Sequence, residues 1–209
     1  MSFRIGNGNG NGNLFLEFLR GVGGRTSDGA KIDEILDTWS DQKLEDDHEY
    51  IQWLFPKIQP SGAQPQTPHL SIKERDAISN DVAAMTNFQR GFHRILSFYG
   101  LIETSNGVIV VNRVVKPFVL IRGRTTSTIS LLNEGNHNTM RMTRILVSLR
   151  LFGLHAQARH LLNCLANLVL DANIHSYALI GPTPDATKRA AYDYWEQAAT
   201  APMNELKRL

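Results

Sequence analysis

Between Ser71 and Gly100 the chain is committed to helix. Ile78, Val82, Met85, Phe88, Phe92, Ile95, Leu96 and Tyr99 recur at steps of three or four, the period that lines one face of an α-helix. Ser71 and Glu74 read as a capping box at its start, the hydroxyl serving one free backbone N–H and the carboxylate reaching back to another. Gly100 stands where a left-handed residue closes a helix. The spacing predicts one helix of about seven turns across 71–99. A rod with an apolar stripe of that length has to be covered by other elements, so the chain points to a helical bundle.

The remaining segments supply the cover. Ile32, Ile35, Leu36 and Trp39 keep helical spacing over 29–38, and Leu44, His48, Ile51 and Phe55 share one face of a helix over 41–55 that Pro56 stops. Prolines 56, 60, 65 and 68 make 56–69 a stiff loop. Residues 101–124 are rich in β-branched side chains interrupted by Pro117, which reads as two short strands or one irregular hairpin. Ser127 to Leu132 is a candidate short helix. Asn136 or Asn138 caps a helix over 138–152 that Gly153 ends, and the helix beginning near His155 follows so closely that the two must form an antiparallel hairpin. Thr183 as N-cap and Pro184 at the first helical position open the last helix.

The predicted fold is therefore mainly α: a single-domain bundle of about six or seven helices with a small β-hairpin or irregular insertion near 101–124. The predicted organisation is a flexible Gly/Asn leader over 1–13, a helical domain over 14–201 and a C-terminal tail over 202–209. The length of 209 residues suits one domain with a sizeable core.

Composition excludes more than it selects. Lys and Arg number 22 against 20 Asp and Glu, too even a balance for the clustered basic surface that nucleic acid requires. No window reaches the ~18 consecutive apolar residues of a membrane span, and the first residues lack the charged start and apolar core of a secretory signal. Cys164, the one cysteine, can form no internal disulfide and sits among leucines, where a thiol is held protonated and inert. A reducing compartment is allowed, and the expected location is intracellular, cytoplasmic or nuclear/perinuclear. No phosphate-binding glycine loop, nucleophile elbow or HExxH zinc pattern occurs. His155 and His160 are five apart and leave a common helix face. Neither a metal nor a cofactor is expected.

Two polar clusters stand out within apolar helices. The first is His48, Tyr50, Gln52 and Trp53 in "HEYIQWLFP", residues 48–56. The second is His137, Asn138, Arg141 and Arg144 in "NHNTMRMTR", residues 136–144. Arg141 and Arg144 lie side by side at i, i+3 next to Ile145 and Leu146, so each must bury its stem and find an acceptor for its guanidinium. Asp46, Asp47 and Glu49 are candidate acceptors. The pairing either pins two helices together or leaves an arginine facing a pocket as a receptor for an anion or carboxylate. His137 and Asn138 serve either as capping groups or as a wall of that site. The run "EDDHE" at 45–49 reads as an acidic first turn of a helix rather than a metal site, because Asp46 and Asp47 point about 100° apart.

With "FYG" at 98–100 between them, "HEYIQWLFP" and "NHNTMRMTRILVSLRLFGL" (136–154) resemble the N-terminal domain of the opioid growth factor receptor family, whose pattern reads H-[DE]-Y-I-Q-W-L-F-P, then F-Y-G, then H-N-x-x-R-[IM]-T-R-I-L-x-S-L-x-x-x-G-L. The resemblance spans roughly residues 14–200. The chain departs from the pattern before the second motif, where "SLLNEG" carries no tryptophan, and within 101–124. The resemblance implies a compact, stand-alone member without the C-terminal repeats of the vertebrate proteins. Those proteins are described as receptors for the pentapeptide Met-enkephalin, acting from the nuclear region and perinuclear membranes without a membrane span, so peripheral membrane association comes with the resemblance.

Three functions are compatible with the residues. In one, a peptide or small-molecule ligand binds in a pocket between the 41–55 and 138–152 helices, with Tyr50 and Trp53 as apolar walls and Arg141 and Arg144 holding an acidic group. In a second, His48 or His137 is the general acid/base of a biosynthetic enzyme on small molecules. In a third, His48, Gln52, Arg141 and Arg144 form a buried hydrogen-bond network and function lies in surface contacts. They separate on whether the two motifs face each other across empty space or a filled core.

Overall fold

The computed structural model describes residues 13–60, 68–112, 137–180 and 186–208, with side chains described at 13–60, 68–112, 138–168 and 192–208. The Gly/Asn leader before Asn13, the 113–124 part of the insertion, the 127–132 candidate helix and the Asn136, Thr183 and Pro184 signals lie outside the described residues. The chain is mainly helical, with one small antiparallel sheet. α1 is Leu14–Arg20, followed by a π-helical turn at Glu34–Thr38, α2 at Asp41–Asp46, α3 at Tyr50–Leu54, α4 at Ile72–Ser79 and α5 at Val82–Phe98. Strands β1, Leu101–Glu103, and β2, Ile109–Val111, pair with Ile102 opposite Val110. α6 is His137–Leu151, α7 His155–Ile180, α8 Ala186–Thr200 and α9 Met203–Leu206.

The long helix predicted over 71–99 is two helices. Ser79, Asn80 and Asp81 carry short polar side chains that compete for backbone groups. Ser79 Oγ donates to Arg75 O at 2.9 Å, and Asp81 Oδ1 accepts the Ala84 N–H at 2.8 Å as a fresh N-cap. The break rotates Val82 off the apolar face and leaves it 82% exposed. Ser71 does cap α4, accepting the Glu74 N–H at 3.1 Å. The Glu74 carboxylate, however, reaches another helix: it is buried and accepts the Phe15 and Leu16 N–H groups at 2.7 and 3.3 Å. It thereby supplies the N-terminal acceptor that α1 lacks from its own cap.

The helix predicted over 41–55 is likewise split. Asp47 closes α2, and its Oδ1 accepts from the Glu49 and Tyr50 N–H groups at 2.8 and 3.2 Å to start α3. The 29–38 helix is a single π-helical turn after two α-helical residues. Gly100 (φ 69°) and Gly153 (φ 80°) do terminate α5 and α6 in the left-handed conformation. Gly153 allows the tight Phe152–Leu154 turn that folds α7 back along α6. The predicted tail contains α9, whose Leu206 is buried.

One apolar core joins these elements. α1 packs on α5, α4 and α3, while α6 packs on α8 and α7, and α7 covers β2. Trp53 lies against Phe15 and Phe18, at ring-centroid distances of 5.2 and 5.5 Å. Phe88 bridges Phe55 and Phe152, at 5.5 and 4.9 Å. Gly91 leaves room on α5 for Leu54: a Cβ there would stand 3.3 Å from Leu54 Cδ2.

Candidate functional site

The two motifs meet along α6, and the breaks described above decide how. A helix that ends early leaves its last carbonyls without intrahelical partners. The end of α2 exposes such carbonyls toward α6, and the end of α3 at Pro56 exposes a second set.

Arg141 fills the first. It is 4% exposed. Its guanidinium donates to Leu44 O at 2.9 Å, Glu45 O at 3.1 Å and Asp47 O at 2.6 Å, with a weaker contact to Asn138 Oδ1 at 3.3 Å. The Glu45 carboxylate is 3.6 Å from Nη1. Asn138, fully buried, joins the network: its Nδ2 donates to both Glu45 carboxylate oxygens at 3.1 and 3.0 Å, and its Oδ1 accepts from Tyr99 Oη at 2.8 Å. Tyr50 lies under the guanidinium, 5.6 Å from ring centroid to Cζ, and edge-on to Trp39 at 5.7 Å. Burial pushes the hydroxyls of Tyr50 and Tyr99 up from their usual range, so both are protonated at neutral pH. The space between α2–α3 and this part of α6 is thus occupied by protein. The acceptors for Arg141 are backbone carbonyls and Glu45, rather than the side chains of Asp46, Asp47 or Glu49.

Glu49 does other work. Its carboxylate accepts the Ser27 and Asp28 N–H groups at 2.9 and 3.2 Å and the Trp53 Nε1–H at 3.3 Å, tying the 25–29 loop to α3. Trp53 packs on Phe15 and Phe18 of α1, while Tyr50 packs against Arg141 and Trp39. His48 is exposed at the α2–α3 junction. Gln52 is buried, and among the described residues its Oε1 and the Tyr50 hydroxyl have no hydrogen-bond partner. The side chain of His137 lies outside the described residues.

Arg144 meets the second set of carbonyls and is treated differently. It is 8% exposed, and Nη1 donates to Phe55 O at 3.2 Å. Among the described residues no carboxylate lies within ion-pair distance of it. Burial alone lowers its guanidinium to about 10. One turn further on, the buried Ser148 hydroxyl donates to Pro56 O at 3.1 Å. The next residue, Lys57, is partly buried, and its ammonium is lowered to about 8 by burial and then by the charge of Arg144. Lys57 and Ser148 escaped the sequence reading. The available signal was Pro56: a proline-stopped helix turns its last carbonyls toward whatever donors pack against it.

Elsewhere on the surface a shallow groove of about 340 Å³ runs between Ser79 and Gln89, and it holds none of the eight residues singled out from sequence. Among the described residues no group of three or more His, Cys, Asp or Glu side chains is arranged to hold a metal ion, and no helix is long and apolar enough to cross a membrane.

Comparison with known proteins bears on the same segments. The family model described as the opioid growth factor receptor (OGFr) conserved region matches residues 9–207. The opioid growth factor receptor of Rattus norvegicus is 36% identical over 133 residues, covering 62% of this chain and 21% of the rat protein. The Homo sapiens receptor is 34% identical over 133 residues, covering 62% of this chain and 18% of its own. Opioid growth factor receptor-like protein 1 of Mus musculus is 32% identical over 126 residues, covering 58% and 25%. The matched region is a quarter or less of the length of these relatives. No solved structure matches the chain. With nearly its whole length matched by the family model, the chain belongs to the opioid growth factor receptor family.

Proposed function

We propose that this domain is a binding module that holds an acidic group of a peptide or small-molecule ligand at Arg144, where α6 passes the end of α3. The observation that carries the reading is the contrast between two arginines one turn apart. Arg141 is saturated by backbone carbonyls and Glu45. Arg144 is nearly as buried, yet among the described residues it has Phe55 O as its acceptor and no carboxylate in reach. A guanidinium carries five donors in a fixed fork suited to a carboxylate or phosphate, so Arg144 keeps the capacity that Arg141 has spent. The relatives' name, opioid growth factor receptor, makes a short peptide the first ligand to try, its C-terminal carboxylate serving as the acidic group.

The test is isothermal titration with Met-enkephalin and a panel of short peptides, each with a free and an amidated C-terminus. Binding by the free acids, loss on amidation and an equal loss on Arg144→Gln are the expected results. No saturable heat from any member, or affinities unchanged by Arg144→Gln, would overturn the reading.

A second reading is favoured by the Arg141 network, in which Tyr50, Asn138 and Arg141 act as architecture that fixes how α2 and α3 sit on α6, with recognition left to the outer surface. It requires Arg141 substitutions to act on stability and leave ligand affinity alone.

A further inference from the structure

α1 sits in a groove that reads it from end to end. Phe15, Leu16, Phe18 and Leu19 are buried, while Leu14, Glu17 and Arg20 are exposed. The apolar residues at i, i+1, i+3 and i+4 thus form one face, which lies on α5, α4 and α3. Trp53 of α3 touches both Phe15 and Phe18. Polar groups of the groove mark the two ends of the helix. Glu74 of α4 accepts its first N–H groups, Asn87 of α5 donates to Leu19 O at 2.7 Å, and Asp81, the N-cap of α5, accepts from Arg20 Nε at 2.7 Å. A helix of seven residues does not persist alone in water, so α1 is helical because this groove holds it.

The link to the rest of the chain is a hinge at residues 21–24, Gly-Val-Gly-Gly, whose Val22 is 73% exposed. Beyond it the backbone is fixed again. Glu49 accepts the Ser27 and Asp28 N–H groups, and the Thr26 N–H donates to Ala30 O at 2.9 Å. A Cβ added at Gly24 would fall on the backbone of Phe18, so the hinge folds α1 onto its own groove only because residue 24 is glycine. Opened out, four residues reach about 13 Å, enough to lift α1 from its own groove toward another. A groove that fits this α1 fits the α1 of a second copy equally.

We propose that two copies of this chain associate by exchanging α1, each helix seated in the α3–α4–α5 groove of the other. The exchange uses neither arginine of α6 and is independent of the reading of Arg144. The exchanged dimer keeps every contact that α1 makes with its groove and opens only the hinge. In the closed chain a hinge this short presents α1 to its own groove at about millimolar effective concentration. Exchange in the wild type is therefore driven by concentration, and any change that obstructs the closed hinge favours the dimer.

The experiment is size-exclusion chromatography with light scattering on the whole chain, as wild type, Gly24→Ala and the double variant Gly24→Ala/Phe18→Ala, up to about 1 mM. Wild type is expected to dimerise toward the top of that range. Gly24→Ala should dimerise at concentrations at least about tenfold lower, because the added Cβ obstructs the closed hinge and meets nothing once the hinge is open. An excess of synthetic peptide spanning residues 13–21 should return the Gly24→Ala dimer to monomer by filling the groove. The double variant should stay monomeric although its hinge is the same. A Gly24→Ala chain that keeps wild-type helix content and stays monomeric overturns the proposal; if it nevertheless binds the peptide, the groove serves a helix of another protein. A dimer that the peptide does not dissolve also overturns it, by placing the interface elsewhere. Should Gly24→Ala fail to fold, hydrogen exchange on the wild type decides. The amides of α1 are expected to be at least about tenfold less protected than those at the centre of α5. Equal protection overturns exchange, since α1 would then leave its groove only when the whole chain unfolds.

Discussion

Replacing Arg141 by leucine tests the network that seats α2 and α3 on α6. The substitution keeps an apolar stem of similar reach and deletes the guanidinium, which leaves Leu44 O, Glu45 O and Asp47 O without the donor they share. A buried acceptor left unsatisfied costs about 1–3 kcal/mol. Leu44 O is buried and the other two contacts are partly buried, so the three together come to about 3–5 kcal/mol, with Glu45 losing its cation besides. That is the range measured for breaking one side of a buried charge contact, and a large part of the ~5–15 kcal/mol that holds a domain folded. Urea unfolding followed by the fluorescence of the three tryptophans, Trp39, Trp53 and Trp195, measures it directly, as a fall in midpoint at constant slope. Arg141→Lys should recover less than half of the loss, because an ammonium is a point charge and cannot address three carbonyls in the geometry of the fork. A loss below about 1 kcal/mol for Arg141→Leu would refute the assignment of these contacts as the joint. The same measurement on Arg144→Gln, which gives up one described bond and an uncompensated charge, should show about 1 kcal/mol or less.

Lys57 gives a pH signature. Its ammonium is about 8 in the fold against an ordinary value of 10.5, so above pH 8 the folded chain releases a proton that the unfolded chain still holds. Stability therefore rises between about pH 8 and 10.5 and is flat in Lys57→Met; with solvent screening the gain is on the order of 1–2 kcal/mol, read from urea midpoints against pH. Glu74 separates charge from hydrogen bonding: Glu74→Gln keeps an acceptor for Phe15 and Leu16 and should cost under about 1 kcal/mol, whereas Glu74→Leu strands both N–H groups and should cost about 2 kcal/mol or more, seen as lost hydrogen-exchange protection in α1. Cys164, buried and raised to about 11, holds about one thiolate in a thousand at pH 8. A disulfide reagent should label it at least about a hundredfold more slowly in the native chain than in guanidinium.

Helix content was legible where periodicity and capping agreed. α5 with Gly100, and the α6–α7 hairpin with Gly153, follow directly from spacing. Missed were interruptions made by side chains that look innocuous in a helical pattern. Asp47 and Asp81 each turn a carboxylate onto backbone N–H groups two or three residues ahead, and periodicity is blind to that competition because the apolar stripe continues on either side. At the site, the sequence singled out both arginines as groups that must bury their stems, since apolar neighbours on α6 leave them nowhere else to go, whereas Asn138, read as a capping group or a site wall, is fully buried in the Arg141 network. It could not assign their partners. Carbonyl acceptors have no residue identity, so an arginine that binds backbone leaves no complementary acid in the sequence, and the carboxylates of Asp46, Asp47 and Glu49 are not among the acceptors of Arg141. Trp53 was grouped with Tyr50 by proximity in sequence; the two are i, i+3 neighbours on α3, with Trp53 against Phe15 and Phe18 of α1 and Tyr50 against Trp39 and Arg141.

The bonds that seat residues 44–56 on α6 join partners 89 to 97 positions apart. α3 has five residues, far short of what an isolated helix needs to persist in water. During synthesis at about 5–20 residues per second, the first motif therefore waits some 5–20 seconds for the arginines that give it shape. Over that interval the ring of Tyr50 lacks Arg141 and the Phe55 carbonyl lacks Arg144, while α1 is already made, α5 is completed in the meantime, and Trp53 can settle on Phe15 and Phe18. The domain is thus assembled from an N-terminal half that closes locally and a joint that can be completed only when α6 arrives. Substitutions along that joint are expected to lower the yield of folded chain in cells by more than their effect on equilibrium stability alone.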